Sequence, residues 1–245
     1  SSISKYPETF VSKWSWKTFR SHNILIWATI LWYDFERKNY NESKKENTFI
    51  NCNRSYQWYN KGSLILYALR DYIGEVAIDS AMMNFRNEFA LREEPPYPGS
   101  SDLYRHLVAY TPDSLKYYLE DTWEKITLYS NKTEEAKVKK VSDEEYLVTL
   151  KIKSNKLYAD SLGMETPAQY DGDYIDIGVF AADDTDENGR DRTNPIYLAK
   201  HRVKPGEETI EIKVNKEPIK AGIDPYNKLI DRIPDDNVVN VESDD

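Results

Sequence analysis

The sequence predicts an α+β protein in which a helical lobe precedes an antiparallel β-sandwich. Between about residues 59 and 128, apolar residues recur at three- and four-residue steps, the period of a helix with one buried face. From about residue 134 apolar and polar residues alternate, which is the period of a half-buried strand. We therefore expect a helical lobe at 1–130, a β-sandwich at 134–223 and an acidic tail at 224–245.

The first 58 residues are rich in tryptophan and contain no glycine. Five of the six tryptophans lie here, and a mostly apolar run extends from Ile24 to Trp32. A membrane-spanning helix needs about 20 apolar residues. This shorter run therefore predicts a buried strand or helix rather than a membrane anchor.

Two helices are predicted ahead of the proline cluster Pro95–Pro98. The first extends over Gly62–Ile73, and Gly74 follows it at the position where a left-handed glycine often ends a helix. The second carries apolar residues at helical spacing: Ile78, Met82, Phe85 and Phe89. It must end before Pro95, because consecutive prolines cannot continue a helix.

Two further helix starts follow the proline cluster. Ser101 is a candidate N-cap ahead of the apolar pair Leu103 and Leu107. Thr111-Pro112-Asp113 combines an N-cap threonine, a proline at the first helical position and an acid in the first turn. The apolar residues of that last helix are Leu115, Leu119 and Trp123.

Three half-buried strands are predicted from the alternating pattern. Their inward-facing residues are Tyr146, Val148, Leu150 and Ile152, then Ile175, Ile177 and Val179, then Ile210, Ile212 and Val214. Turn signals at Asp186–Gly189 and Pro205-Gly206 separate strands with no helical pattern between them, which favours an antiparallel sandwich. Acids outnumber bases strongly after residue 230, so we expect the end of the tail to be disordered.

Composition excludes several classes of function. The net charge is -9 and the mean hydropathy is -0.74, which argues against non-specific nucleic-acid binding because that depends on neutralising phosphates. Cys52 is the only cysteine, so neither an internal disulfide nor a cysteine-rich zinc site can form. His22, His106 and His201 lie far apart, and the chain has no His-Glu-x-x-His motif.

An acidic stretch at residues 183–189 partly matches a calcium-binding loop. Asp184, Asp186, Asn188 and Gly189 fit the first half of the EF-hand pattern, but its twelfth position is Pro195, which has no carboxylate. We expect an acidic hairpin loop, with a calcium site as the alternative.

The segment Tyr56–Leu64 resembles a tyrosine-containing segment of M1-family zinc aminopeptidases, which belong to the gluzincin group. There a tyrosine stands two residues before a Lys-Gly that opens an apolar helix, as Tyr59 does here. Phe89–Pro98 and Ile219–Arg232 are similar to the C-terminal part of a bacterial, Bacteroidetes-type subgroup, in which the peptidase is fused to an ABC-transporter-like permease. The resemblance covers about residues 54–240.

The resemblance implies a role for Tyr59 and a zinc ion in the parent protein. In this family a zinc-bound water attacks the peptide carbonyl, and the tyrosine hydroxyl stabilises the oxyanion that forms. The helical lobe then corresponds to the second half of a thermolysin-like catalytic domain. This chain departs from the family because the metal-binding motif is missing, and Glu8 is its single candidate for the third zinc ligand.

We therefore expect a C-terminal fragment that begins after the metal-binding helix and is inactive as an isolated chain. The implied partners are a peptide substrate, the upstream metal-binding half and the permease-like membrane part of the same polypeptide. These imply a location at the bacterial cell envelope. The alternative is a non-catalytic peptide- or protein-binding module, and an apolar surface beside Tyr59 would favour the fragment over that module.

Overall fold

The computed structural model describes residues 47–182, apart from 53 and 56, and residues 193–244. Helices occupy the described residues up to 124, and strands dominate from residue 126 onward. The predicted α+β class, with helices first and two antiparallel-rich sheets after them, is confirmed.

Four α-helices form the described part of the helical lobe: α1 (Gly62–Ile73), α2 (Glu75–Phe89), α3 (Ser100–Tyr110) and α4 (Lys116–Leu119). Short 3-10 turns lie at Phe49–Asn51 and Asp113–Leu115, and π-helical turns lie at Gln57–Lys61 and Glu120–Glu124. The predicted bounds of α1 are confirmed, and Gly74 ends it with φ 86°, a conformation that glycine adopts without strain.

Two predicted helix starts need correction. Helix α3 begins at Ser100 rather than after Ser101, because Gly99 is the N-cap and its N–H donates to the Asp102 carboxylate at 2.9 Å. The Thr111 hydroxyl donates back to the Leu107 carbonyl at 2.8 Å, so Thr111 closes the end of α3 instead of capping the next helix.

The β-sandwich consists of two sheets. Its described strands are β1 (Ile126–Ser142), β2 (Glu145–Ala159), β3 (Glu165–Pro167), β4 (Asp173–Ala182), β5 (Thr193–Val203), β6 (Gly206–Val214), β7 (Pro218–Ile223), β8 (Val238–Asn240) and β9 (Glu242–Ser243). The first sheet has the order β3-β2-β1-β9, with β6 also paired to β2, and the second has the order β5-β4-β7-β8. The predicted turn at Pro205-Gly206 carries the chain from the second sheet back to the first, with Gly206 at φ 101°.

One continuous apolar core joins the two sheets to the helical lobe. The first sheet contributes Val148, Leu150, Ile152, Ile210 and Ile212; the second contributes Ile175, Ile177, Val179, Ala221 and Ile223; the helical lobe contributes Ile65, Leu69, Leu107, Leu119 and Trp123. The predicted inward residues of β2 and β6 are confirmed. Strand β4 is not half-buried as predicted, because Asp176 and Gly178 on its second face are buried as well.

The strands extend beyond the predicted bounds of the sandwich on both sides. The sandwich begins at Ile126 rather than near residue 134. The segment predicted as an acidic tail at 224–245 is built into the sandwich over residues 224–244: β8 pairs with β7, β9 pairs with β1, and Val239 and Val241 pack against the core. None of the described helices has the length and apolar character needed to cross a bilayer.

Candidate functional site

Tyr59 lies in the π-helical turn Gln57–Lys61, which continues directly into α1. The two ends of the turn, Gln57 and Lys61, are buried, whereas Trp58 and Tyr59 between them are 52% and 75% exposed. The Tyr59 phenol therefore projects into solvent from a turn that is anchored at both ends.

Local hydrogen bonds hold this turn in place. The Gln57 side chain donates to the Asn47 carbonyl at 2.9 Å, and the Trp58 indole N–H donates to the Cys52 carbonyl at 3.2 Å. These bonds hold the residues on the N-terminal side of Tyr59, and α1 continues from its C-terminal side.

Close packing against Phe49 explains the glycine at position 62, directly after Lys61. A Cβ atom at Gly62 would lie 3.0 Å from the Phe49 ring, which is tighter than an ordinary contact. Phe49 in turn packs edge-on against the buried Trp123, with ring centroids 4.8 Å apart. Gly62 thus lets the start of α1 approach the 3-10 turn Phe49–Asn51, which in turn packs against the second π-helical turn.

The described residues provide no zinc site. Among them, no group of three or more His, Cys, Asp or Glu side chains is arranged to hold a metal ion. The candidate ligand Glu8 and the acidic stretch 183–189 lie outside the described residues. Strands β4 and β5, on either side of that stretch, pair directly with each other in antiparallel fashion.

Two of the histidines have structural partners. His106 is 9% exposed, packs against Phe85 and Phe89, and its Nε2 lies 2.8 Å from the Glu88 carboxylate. His201 lies on β5, and its Nε2 is 2.7 Å from the Tyr197 hydroxyl. His22 lies outside the described residues.

Lys156 is the centre of a buried charge network that the sequence did not predict. Its ammonium donates to Asp121 at 2.7 Å and to Asp173 at 3.1 Å, and the Lys156 side chain is only 2% exposed. Tyr129 and Tyr158 donate their hydroxyls to Asp173 and Asp121, at 2.8 Å and 2.7 Å. Burial raises the pKa of the Asp173 carboxyl, although Lys156 and Tyr129 act against that rise.

This network connects the helical lobe to the sandwich. Asp121 belongs to the last turn of the lobe, whereas Lys156 and Asp173 belong to β2 and β4. The alternation in β2 could have indicated this network. Buried positions recur every second residue, and after Ile152 and Ser154 the next such position is Lys156. With its charges satisfied in a closed interior, we interpret the network as structural.

A second network joins α1 to the sandwich through Asp71, Asp176, Lys200 and Lys228. The residues of this network come from four separate segments, and no local pattern connects them. No protein-family model matches the chain, and no curated protein matches it.

Proposed function

We propose that this chain is the C-terminal portion of an M1-type zinc aminopeptidase, which removes N-terminal residues from peptides. In this proposal the helical lobe is the second half of the catalytic domain, and Tyr59 is the oxyanion donor. The observation that carries the proposal is the position of Tyr59: 75% exposed, on an anchored turn, at the start of an apolar helix.

The phenol of Tyr59 suits the task because it is an exposed hydrogen-bond donor carried by a turn whose two ends are buried. A donor of this kind stabilises the negative charge that develops on the carbonyl oxygen of the scissile bond.

The residues that the structure describes do not fit a zinc centre, and we derive no step through the metal. In the proposal, the zinc ligands and the general base belong to a different part of the same polypeptide, on a His-Glu-x-x-His helix. This chain contributes the oxyanion donor and the wall of the site around it.

Exposed apolar side chains on the helical lobe support an incomplete catalytic domain. Where such side chains form a contiguous patch, that patch often marks a place where another protein surface binds. The large apolar side chains exposed there are Trp58, Tyr59, Val76, Met82, Met83, Leu91 and Tyr97. The resemblance to permease-fused peptidases further places the parent polypeptide, in this proposal, at the bacterial cell envelope.

Zinc analysis and a peptidase assay test the proposal on two proteins, this chain and the longer natural polypeptide. We expect no stoichiometric zinc and no hydrolysis of an aminoacyl-amide by this chain alone. We expect about one zinc per chain and turnover by the longer polypeptide.

Two results would contradict the proposal in different ways. Stoichiometric zinc and turnover by this chain alone would show that it is a complete enzyme. A longer polypeptide without zinc or turnover would favour the alternative, a non-catalytic binding module.

A further inference from the structure

The segment that follows β7 forms a turn that is held by hydrogen bonds to a buried carboxylate. Asp224 and Asn227 adopt positive φ angles of 41° and 51°. The buried Asp224 carboxylate accepts the backbone N–H groups of Lys228 and Leu229, each at 2.9 Å. The direction in which Lys228 leaves the backbone is therefore determined by this turn.

Lys228 belongs to a ring of four alternating charges, which we call the charge ring. Its ammonium lies 2.6 Å from Asp71 and 2.5 Å from Asp176. Lys200 contacts the same two carboxylates, with 2.9 Å to Asp176. The ring is neutral in sum, and the side chains of Lys228 and Asp176 are only 10% and 5% exposed.

Asp71 on α1 and Lys228 on the sandwich each favour the charged form because they contact each other. Burial alone would raise the pKa of Asp71, but the hydrogen bonds from Lys200 and Lys228 outweigh it and lower that pKa. Burial alone would lower the pKa of Lys228, but its bonds to Asp176 and Asp71 outweigh that effect and raise it.

The charge ring attaches α1 to the sandwich at the end of the helix that is distant from Tyr59. Asp71 stands on the last turn of α1, whereas the other three members stand on β4, β5 and the turn after β7. The neighbouring Tyr72 hydroxyl donates to the Tyr174 carbonyl at 2.5 Å. The C-terminal end of α1 is thus held by the ion pairs of Asp71 and by the hydrogen bond of Tyr72.

Tyr59 lies just before the opposite end of the same helix, because the turn that carries it continues directly into α1. The twelve residues of α1 span about 18 Å at 1.5 Å per residue. A tilt of about 3° at the held end would move the opposite end by about 1 Å, and misplacement of about 1 Å in an active site can cost about 100-fold in rate.

We propose that Lys228 is a positioning residue for Tyr59, acting through the charge ring and α1. This inference rests on the proposed function of Tyr59. It also gives the segment Ile219–Arg232 a role, since the turn at its centre holds Lys228 in place.

The test replaces Lys228 in the longer natural polypeptide. In Lys228→Met we expect kcat to fall about tenfold, with KM and zinc content unchanged. Lys228→Arg should recover most of the loss, because a guanidinium can bind both carboxylates. Lys213→Met, which removes an exposed pair with Glu145, is the matched control and should leave kcat unchanged.

A double variant separates positioning from a general structural effect. If Lys228 acts through Tyr59, Lys228→Met should cause no further loss of kcat in a Tyr59→Phe background. Unchanged kcat in Lys228→Met, or losses that multiply in the double variant, would overturn the inference. If Lys228→Met does not fold, Asp71→Asn takes its place with the same two expectations.

Failure of the inference can be distinguished from failure of the proposed function. A wild-type polypeptide without peptidase activity contradicts the proposed function. Hydrogen exchange of the α1 amides in the present chain then tests the attachment by itself: faster exchange in Lys228→Met than in Lys213→Met supports it, and equal exchange overturns it.

Discussion

The ammonium of Lys156 lies 2.7 Å from the carboxylate of Asp121, which joins the second strand of the sandwich to the last turn of the helical lobe. Both side chains are less than 5% exposed. We expect Lys156→Met to lower the free energy of unfolding by about 3–5 kcal/mol, because Asp173 would remain buried without a counter-charge. Asp121 would keep only its longer ion pair with Lys125, at 3.4 Å. Urea denaturation of the present chain measures this change.

The control for Lys156 is a lysine on the same strand that faces outward. Lys151 is 55% exposed at its side chain and pairs with Glu135. Lys151→Met should change the free energy of unfolding by less than about 1 kcal/mol. Equal effects of the two variants would contradict a stabilising role for the buried network.

Gly222 on β7 leaves no room for a side chain. A Cβ atom there would lie 2.0 Å from the Asn237 carbonyl oxygen and 2.7 Å from the Val238 Cα. Since both are backbone atoms, β8 would have to move, and we expect Gly222→Ala to cost at least about 2 kcal/mol of unfolding free energy.

Gly99→Ala serves as the matched glycine control. The nearest atom to a Cβ at Gly99 is the Ser101 hydroxyl at 3.9 Å, an ordinary contact. That variant should cost no more than about 1 kcal/mol in the same denaturation experiment, because alanine is a weaker N-cap than glycine but makes no clash here. If Gly222→Ala has the same free energy of unfolding as the wild type, β8 does not pack against β7 as described.

Asp231 makes stability depend on pH. Burial raises the pKa of its carboxyl to about 7, against the lowering effect of the Ile233 and Asn131 amides. In the unfolded chain the same carboxyl has the ordinary aspartate pKa of about 3.9. Between pH 4 and 7 the folded state therefore binds the additional proton, and this contribution to stability is lost as pH rises through 7.

A comparison with Asp231→Asn isolates that contribution, because asparagine does not titrate. We expect the unfolding free energy of the wild type, relative to Asp231→Asn, to decrease by about 2 kcal/mol between pH 5 and pH 8. Denaturation at several pH values measures it, with the exposed Asp143→Asn as control. A pH-independent difference between wild type and Asp231→Asn would contradict the assignment.

Local signals made some elements predictable. The bounds of α1 follow from helical spacing and from Gly74, both of which act within a few residues. The alternation in β2 and β6 likewise identified their buried faces, because one face of each strand lies against the core.

Elements that depend on distant partners were predicted less well. Asp176 is buried on β4 because Lys200 and Lys228 neutralise it, and both lie far along the chain. Strands β8 and β9 are three and two residues long, too short to show a period, and they are ordered by pairing with β7 and β1. Thr111 was assigned wrongly because a threonine before proline can also bond backwards to the preceding helix.

The candidate site shows the same division. The motif around Tyr59 is continuous in sequence, so its place at the start of α1 was predictable. The charge ring that holds the far end of that helix draws on four separate segments, and three-dimensional structure was needed to find it.

The kcat of Tyr59→Phe in the proposed parent polypeptide tests the central claim most directly, with Tyr97→Phe as a control that removes a comparably exposed hydroxyl. The account predicts a fall in kcat of about 100- to 1,000-fold for Tyr59→Phe, as for loss of one oxyanion donor, with unchanged zinc content and no fall for Tyr97→Phe. A kcat for Tyr59→Phe equal to that of the wild type would contradict it.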